Sequence, residues 1–98
     1  MAEAPDPTDT TILLIEDEQD LLELLRYNLE REGYTVRGVT TGEDGLKEAR
    51  SALPDLILLD VMMPGMDGLE VCRTLRSRAA TERVPIIMLT ARGEEQDV

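Results

Sequence analysis

The chain is predicted to be an α/β unit built on a doubly wound parallel sheet, and three observations predict it. Thr11-Ile12-Leu13-Leu14-Ile15 and Leu56-Ile57-Leu58-Leu59 are uninterrupted apolar runs, the pattern of strands buried on both faces of a parallel sheet. Segments of helical period alternate with the strand-like runs, in the order strand, helix, strand, helix, strand, helix, strand. The connections between them are short, and consecutive parallel strands must then be joined by right-handed helical crossovers.

The elements can be justified in chain order. Residues 1–10 carry Pro5, Pro7 and three acids, with Met1 the one large apolar residue, and read as a disordered lead-in to a single domain over residues 11–98. The first strand follows from Thr11. Glu18 to Glu32 sets Leu21, Leu22, Leu25 and Leu29 at helical spacing, with acids at its positive N-terminus and Gly33 placed to end it. Tyr34 to Val39 is a short, less apolar strand that suits a sheet edge. Gly42 to Leu53 is expected to be a helix turning Leu46, Ala49 and Leu53 inward, with Pro54 as its stop. Asp55 to Asp60 is the third strand. Met63-Pro64-Gly65-Met66-Asp67-Gly68 has turn chemistry, with Gly65 and Gly68 supplying turn geometry. A third helix then places Leu69, Cys72, Leu75, Arg76 and Ala79, and Pro85 to Leu89 is a fourth strand ending at Thr90.

Composition narrows the function. Twenty-one acids against ten bases give a formal charge of −11, which opposes contact with nucleic-acid backbones or anionic lipid and favours cations or basic partners. No run approaches the roughly 20 apolar residues of a membrane span, and the first residues lack the basic and apolar parts of a signal peptide, so the cytoplasm is the expected location. The sequence has no His and one cysteine, Cys72, which removes His-based catalysis, most zinc sites and any internal disulfide. Cys72 reads as core filler. Phe and Trp are absent and only two Tyr occur, so the core must be aliphatic.

What remains is carboxylate and hydroxyl chemistry, and it gathers at strand ends. In an open parallel sheet, ligands bind beyond the carboxyl ends of the strands. The first strand delivers Glu16 and Asp17 there, the third Asp60, and the fourth Thr90. Carboxylates held together raise one another's pKa unless a cation neutralises them. A cluster of oxygen ligands without nitrogen or sulfur suits Mg²⁺. Beside such a cation, Asp60 is the candidate nucleophile for a phosphoryl group, forming an aspartyl phosphate. Taken singly, Glu16-Asp17-Glu18 would also read as acids placed at a helix N-terminus. Thr90 alone would pass for a strand-end or helix-capping residue.

From about Thr11 to Val98 the sequence resembles the receiver domains of two-component response regulators. The resemblance rests on Ile15-Glu16-Asp17-Glu18, on Leu56 to Asp60 with its Met63 to Gly68 loop, and on Pro85-Ile86-Ile87-Met88-Leu89-Thr90-Ala91, in that order and spacing. It implies a flavodoxin-like receiver fold with strand order 2-1-3-4-5. It makes Asp60 the phosphoacceptor, Asp17 a direct Mg²⁺ ligand, Glu16 a ligand through water, Met62 a ligand through its backbone carbonyl, and Thr90 the switch hydroxyl. It also implies a sensor histidine kinase as phosphoryl donor and an effector domain in the parent protein. Arg92-Gly93-Glu94-Glu95 is similar to the OmpR/PhoB-type members, whose effector is a DNA-binding domain.

The family's fifth strand and helix, its Lys and its aromatic switch residue would all fall beyond Val98, so the chain is expected to be a receiver shortened at its C-terminal side. An edge strand without its neighbour invites pairing, and self-association or exchange of elements is expected. The domain is read as a signalling module and not an enzyme. Two other functions compete: a non-phosphorylated interaction module of the same shape, and a small Mg²⁺-dependent phosphohydrolase working through an aspartyl phosphate.

Overall fold

A computed structural model describes residues 9–89. The order is β1 (Thr11–Ile15), α1 (Gln19–Arg31), β2 (Thr35–Val39), α2 (Gly42–Ser51), β3 (Leu56–Asp60), α3 (Gly68–Arg76) and β4 (Ile86–Leu89). All pairings are parallel and the strand order is β2-β1-β3-β4, so the doubly wound sheet expected from the sequence is present. The expected lead-in covers residues 1–10, of which 1–8 lie outside the described residues.

Side-chain alternation along the two central strands sends residues to opposite faces. On one face Leu13, Ile15, Ile57 and Leu59 pack with Leu46 and Ala49 of α2 and Val71 and Leu75 of α3. On the other, Leu14 packs with Leu22 of α1 and Val36 of β2, joined by the partly buried Leu25, Leu29, Tyr34, Leu58 and Leu89.

The helix ends follow from local chemistry. Gly33 takes φ 101°, its N–H donates to the Glu30 carbonyl and the Tyr34 N–H to Leu29, the paired bonds of a Schellman ending. Thr41 caps α2 by accepting from the Asp44 N–H at 3.0 Å, and Asp67 caps α3 by accepting from the Glu70 N–H at 2.9 Å. Glu18 stands at the N-cap of α1 without a side-chain cap bond.

The expectation that Leu53 faces inward is corrected, and three other apolar positions singled out in the helices, Leu21, Leu69 and Ala79, are exposed. Leu21 is exposed, because the buried stripe of α1 runs through Leu22, Leu25 and Leu29. Leu53 is 60% exposed, since α2 ends at Ser51 and Leu53 falls beyond the helical phase. Leu69 is exposed because α3 buries Val71 and Leu75, so a residue two positions before Val71 points away from the sheet. Ala79 lies past the end of α3 and is exposed. Cys72 packs partly buried against the larger core cluster, as expected of a filler.

The α3–β4 connection is held by backbone acceptors. Arg76 donates to the carbonyls of Glu82 at 2.7 Å and Val84 at 2.8 Å, while the buried Thr81 hydroxyl donates to Leu75 at 2.7 Å.

Candidate functional site

Register explains why the acids meet. Ile15 pairs with Leu59 across β1 and β3, so the next residues, Glu16 and Asp60, stand side by side at the carboxyl end of the sheet. Asp17 follows in the turn to α1. One carboxylate oxygen from each of Glu16, Asp17 and Asp60 can be chosen so that all lie within 4.8 Å of one another. Glu16 is 2% exposed and Asp60 4% exposed, while Asp17 is half-buried.

Such burial is costly for charge. Burial first, then the charges of Asp60 and Asp17 and a hydrogen bond with Asp60, push the Glu16 carboxyl up to about 7, against the Glu18 N–H, which lowers it. The Asp60 carboxyl is also raised, chiefly by burial, with Asp17 adding to the rise and the Met62 N–H opposing it. The two opposing donors are explicit in the geometry. Glu18 N–H donates to Glu16 Oε2 at 3.0 Å, and Met62 N–H donates to Asp60 Oδ1 at 3.2 Å. Each acid is therefore held in one orientation by the backbone two residues further on.

A trio of converging carboxylates, two of them buried and raised, with no His and no Cys in the cluster, fits a hard divalent cation that prefers oxygen ligands. Of the residues expected from the sequence, Glu16, Asp17 and Asp60 are brought together. The Met62 side chain is 61% exposed and contributes nothing to the cluster, in keeping with a residue that could act only through its backbone. Thr90 lies outside the described residues; its neighbour Leu89 pairs with Asp60.

The loop after Asp60 differs from expectation at one glycine. Gly65 has φ 73° and open space around it, so it supplies turn geometry. Gly68 has no positive φ. It is needed for another reason: a Cβ there would lie 2.7 Å from Val61 Cα and closer still to the Asp60 carbonyl oxygen. Sequence reasoning also missed the two backbone donors, Glu18 and Met62. No side-chain pattern could have shown them, although both follow their acid by two residues.

With that geometry in hand, the chain can be set beside known proteins. The family model for the response regulator receiver domain matches residues 12–98. The phosphate regulon transcriptional regulatory protein PhoB of Rhizobium meliloti is 54% identical over 86 residues, 88% of this chain and 38% of that protein. The alkaline phosphatase synthesis transcriptional regulatory protein PhoP of Bacillus subtilis is 51% identical over 86 residues, 88% of this chain and 35% of that protein. The chain thus spans little more than a third of the length of these relatives.

Among solved structures, the response regulator TrrA of Thermotoga maritima, crystallised in complex with Mg²⁺-BeF, superposes with a TM-score of 0.79 at 40% identity, over 84% of this chain and 70% of that one. The N-terminal domain of a response regulator receiver protein from Methanoculleus marisnigri superposes with a TM-score of 0.81 at 38% identity, over 84% of this chain and 67% of that one. On sequence and on fold alike, the chain belongs to the response regulator receiver domains, the signalling domains of two-component systems.

Proposed function

We propose that this chain is a phosphorylation-operated switch whose phosphoacceptor is Asp60. The observation that carries the reading is the convergence of Glu16, Asp17 and Asp60 within 4.8 Å at the carboxyl ends of two adjacent strands. In this reading Asp17, Asp60 and the Met62 carbonyl would hold Mg²⁺ directly and Glu16 would hold it through water. The cation supplies neutralisation of the acidic cluster and of the phosphoryl oxygens.

The chain's own residues do the rest. Met62 N–H fixes one oxygen of the Asp60 carboxylate, which orients the group for attack. An oxygen of Asp60 forms the bond to phosphorus as the bond from phosphorus to the donor breaks, and the departing electron pair stays on the donor, which takes a proton from solvent. The donor is a phosphorylated histidine of a sensor kinase. The Thr90 hydroxyl donates a hydrogen bond to a phosphoryl oxygen and so converts the covalent change into a movement of the end of β4.

The parent protein in this reading is a cytoplasmic transcriptional regulator with a DNA-binding effector, since the relatives it matches are transcriptional regulators more than twice its length. Among the described residues no helix is long and apolar enough to cross a membrane. The chain itself makes no contact with nucleic acid, in line with its charge of −11. In this reading the chain associates with copies of itself through β4, which is paired on one side only among the described residues.

The test is incubation with Mg²⁺ and a small acyl phosphate, read by intact mass. One added phosphoryl group is expected, abolished by Asp60→Asn and by a chelator. A folded protein that gains no mass under these conditions overturns the reading and leaves a non-phosphorylated interaction module.

A further inference from the structure

We infer that Gly68 is a positioning residue for the acidic site, acting through the backbone of Asp60 and Val61; the inference rests on the phosphoacceptor reading above. The first turn of α3 reaches the end of β3 here more closely than any side chain would permit. A Cβ on residue 68 would lie 2.7 Å from Val61 Cα and 3.0 Å from the Asp60 carbonyl carbon, with the Asp60 carbonyl oxygen nearer still. All three are backbone atoms, so no rotamer change could relieve the contact.

The same residue is bonded to that backbone. Gly68 N–H donates to the Val61 carbonyl at 2.9 Å, and Asp67, which precedes it, caps α3 through the Glu70 N–H at 2.9 Å. The helix start is therefore rigid, and Gly68 ties the peptide after Asp60 to it. What this fixes is the segment Asp60-Val61-Met62, in which the Met62 N–H holds Asp60 Oδ1 and the Met62 carbonyl is the backbone ligand of the proposed site. A methyl group at residue 68 has to push the peptide away from α3 and turn both Met62 groups off target. Supports that orient metal ligands from behind commonly matter by roughly 10–100-fold in affinity.

The crowding at the other tight glycines is of a different kind. At Gly38 the obstacles are the side chains of Arg26 and Leu22, at Gly45 that of Ile15, and at Gly42 the Val71 side chain and Met66 with its carbonyl oxygen; none of them belongs to the peptide that follows Asp60.

The experiment compares Gly68→Ala with Leu75→Ala, which opens a cavity at the far end of the same helix, under one set of conditions. Two quantities are read: the amide resonance of Met62 in metal-free protein, and Mg²⁺ affinity by titration of the same spectrum. Gly68→Ala is expected to shift the Met62 amide before any metal is added and to weaken Mg²⁺ binding by roughly tenfold or more. Leu75→Ala is expected to lower the melting temperature while leaving both readings as in the unsubstituted chain.

Should Gly68→Ala not fold, the Gly68 N–H can be replaced by an ester oxygen through ligation at Cys72, which removes the bond to Val61 and adds no atom to crowd. A weakened Mg²⁺ affinity in that chain supports the inference. Unsubstituted affinity in either residue-68 variant, or an equal loss in Leu75→Ala, overturns the inference alone. Failure of the unsubstituted chain to bind Mg²⁺ in a manner that depends on Asp60 overturns the phosphoacceptor reading and this inference with it.

Discussion

The two faces of the sheet are unequal. Under α2 and α3, Leu13, Ile15, Ile57, Leu59, Val71 and Leu75 are almost wholly removed from solvent and form one continuous cluster. Under α1 the buried set is Ile12, Leu14, Leu22 and Val36, and a groove of about 490 Å³ beside the helix is lined by Thr10, Ile12, Leu29, Tyr34, Leu56, Leu58 and Ile87. Alternation along β1 and β3 gives Glu16 and Asp60 the parity of Leu14 and Leu58, so the acids sit at the end of the more open face. The site thus hangs on strands anchored from one side, with its polar groups on the other. That division suits a switch, in which one side must stay fixed while the other responds.

The largest effect should come from attacking the closed face. Ile57→Ala removes a residue with no exposed surface from the middle of the larger cluster and should cost about 4 kcal/mol. Leu25→Ala, on the half-buried margin of the α1 face, should cost about 1 kcal/mol. For a domain whose whole stability is of the order of 5–15 kcal/mol, the first change threatens folding and the second does not. Denaturant melts of both variants check this. Equal losses would erase the distinction between the faces.

Much of this division could be read from the amino-acid order, but unevenly. β1 and β3 were legible because a strand buried on both sides must be apolar throughout, and each run ends abruptly in a carboxylate at Glu16 or Asp60. The acidic site was legible for the same reason, since strand ends on one edge of a parallel sheet have to meet. Helix faces were harder. In α1 the leucines supply more than one stripe, and nothing local decides that Leu22 faces the sheet and Leu21 does not. In α2 the buried positions include Gly42 and Gly45, which hydrophobic periodicity does not count, while Leu53, which it does count, lies past the helix end. The contribution of Gly68 was legible only as a turn residue, because a close approach between a helix start and a distant strand leaves no mark on the sequence beyond the glycine itself.

A smaller effect concerns protons at the end of the open face. The Glu16 carboxyl is raised from 4.5 to about 7 in the folded protein, so between those values the folded chain holds a proton that the unfolded chain has lost. Stability must then fall as pH rises through that window, by up to roughly 1.4 kcal/mol per pH unit for one group, and level off above it. Asp60, raised in the same direction, adds to the slope. Thermal melts with a chelator, from about pH 5 to pH 8, should show the decline. Glu16→Gln should remove much of it, and saturating Mg²⁺ should remove the rest by replacing the proton and stabilising the folded form. Metal-free melts that do not change across the window would mean the acids are better solvated than their burial implies.

The smallest expected change in stability tests the open face directly. Ile87 is 52% exposed although it belongs to β4 and lines the groove, so replacing it removes little buried surface. Ile87→Glu should alter the melting free energy by no more than about 0.5 kcal/mol. Its effect on association should be larger. If copies of the 98-residue chain meet along β4 and its groove, a carboxylate there must be desolvated at each encounter, in a chain that already carries a charge of −11. Sedimentation velocity over a range of concentrations should show the unsubstituted chain associating and Ile87→Glu remaining monomeric. Ile87 pairs with Leu58, two residues before Asp60, and is not part of the acidic trio, so phosphoryl uptake should be retained. An unsubstituted chain that stays monomeric at every concentration would show that the open face is stable in water as it stands. The inequality of the two faces would then concern packing within one chain and not contact between two.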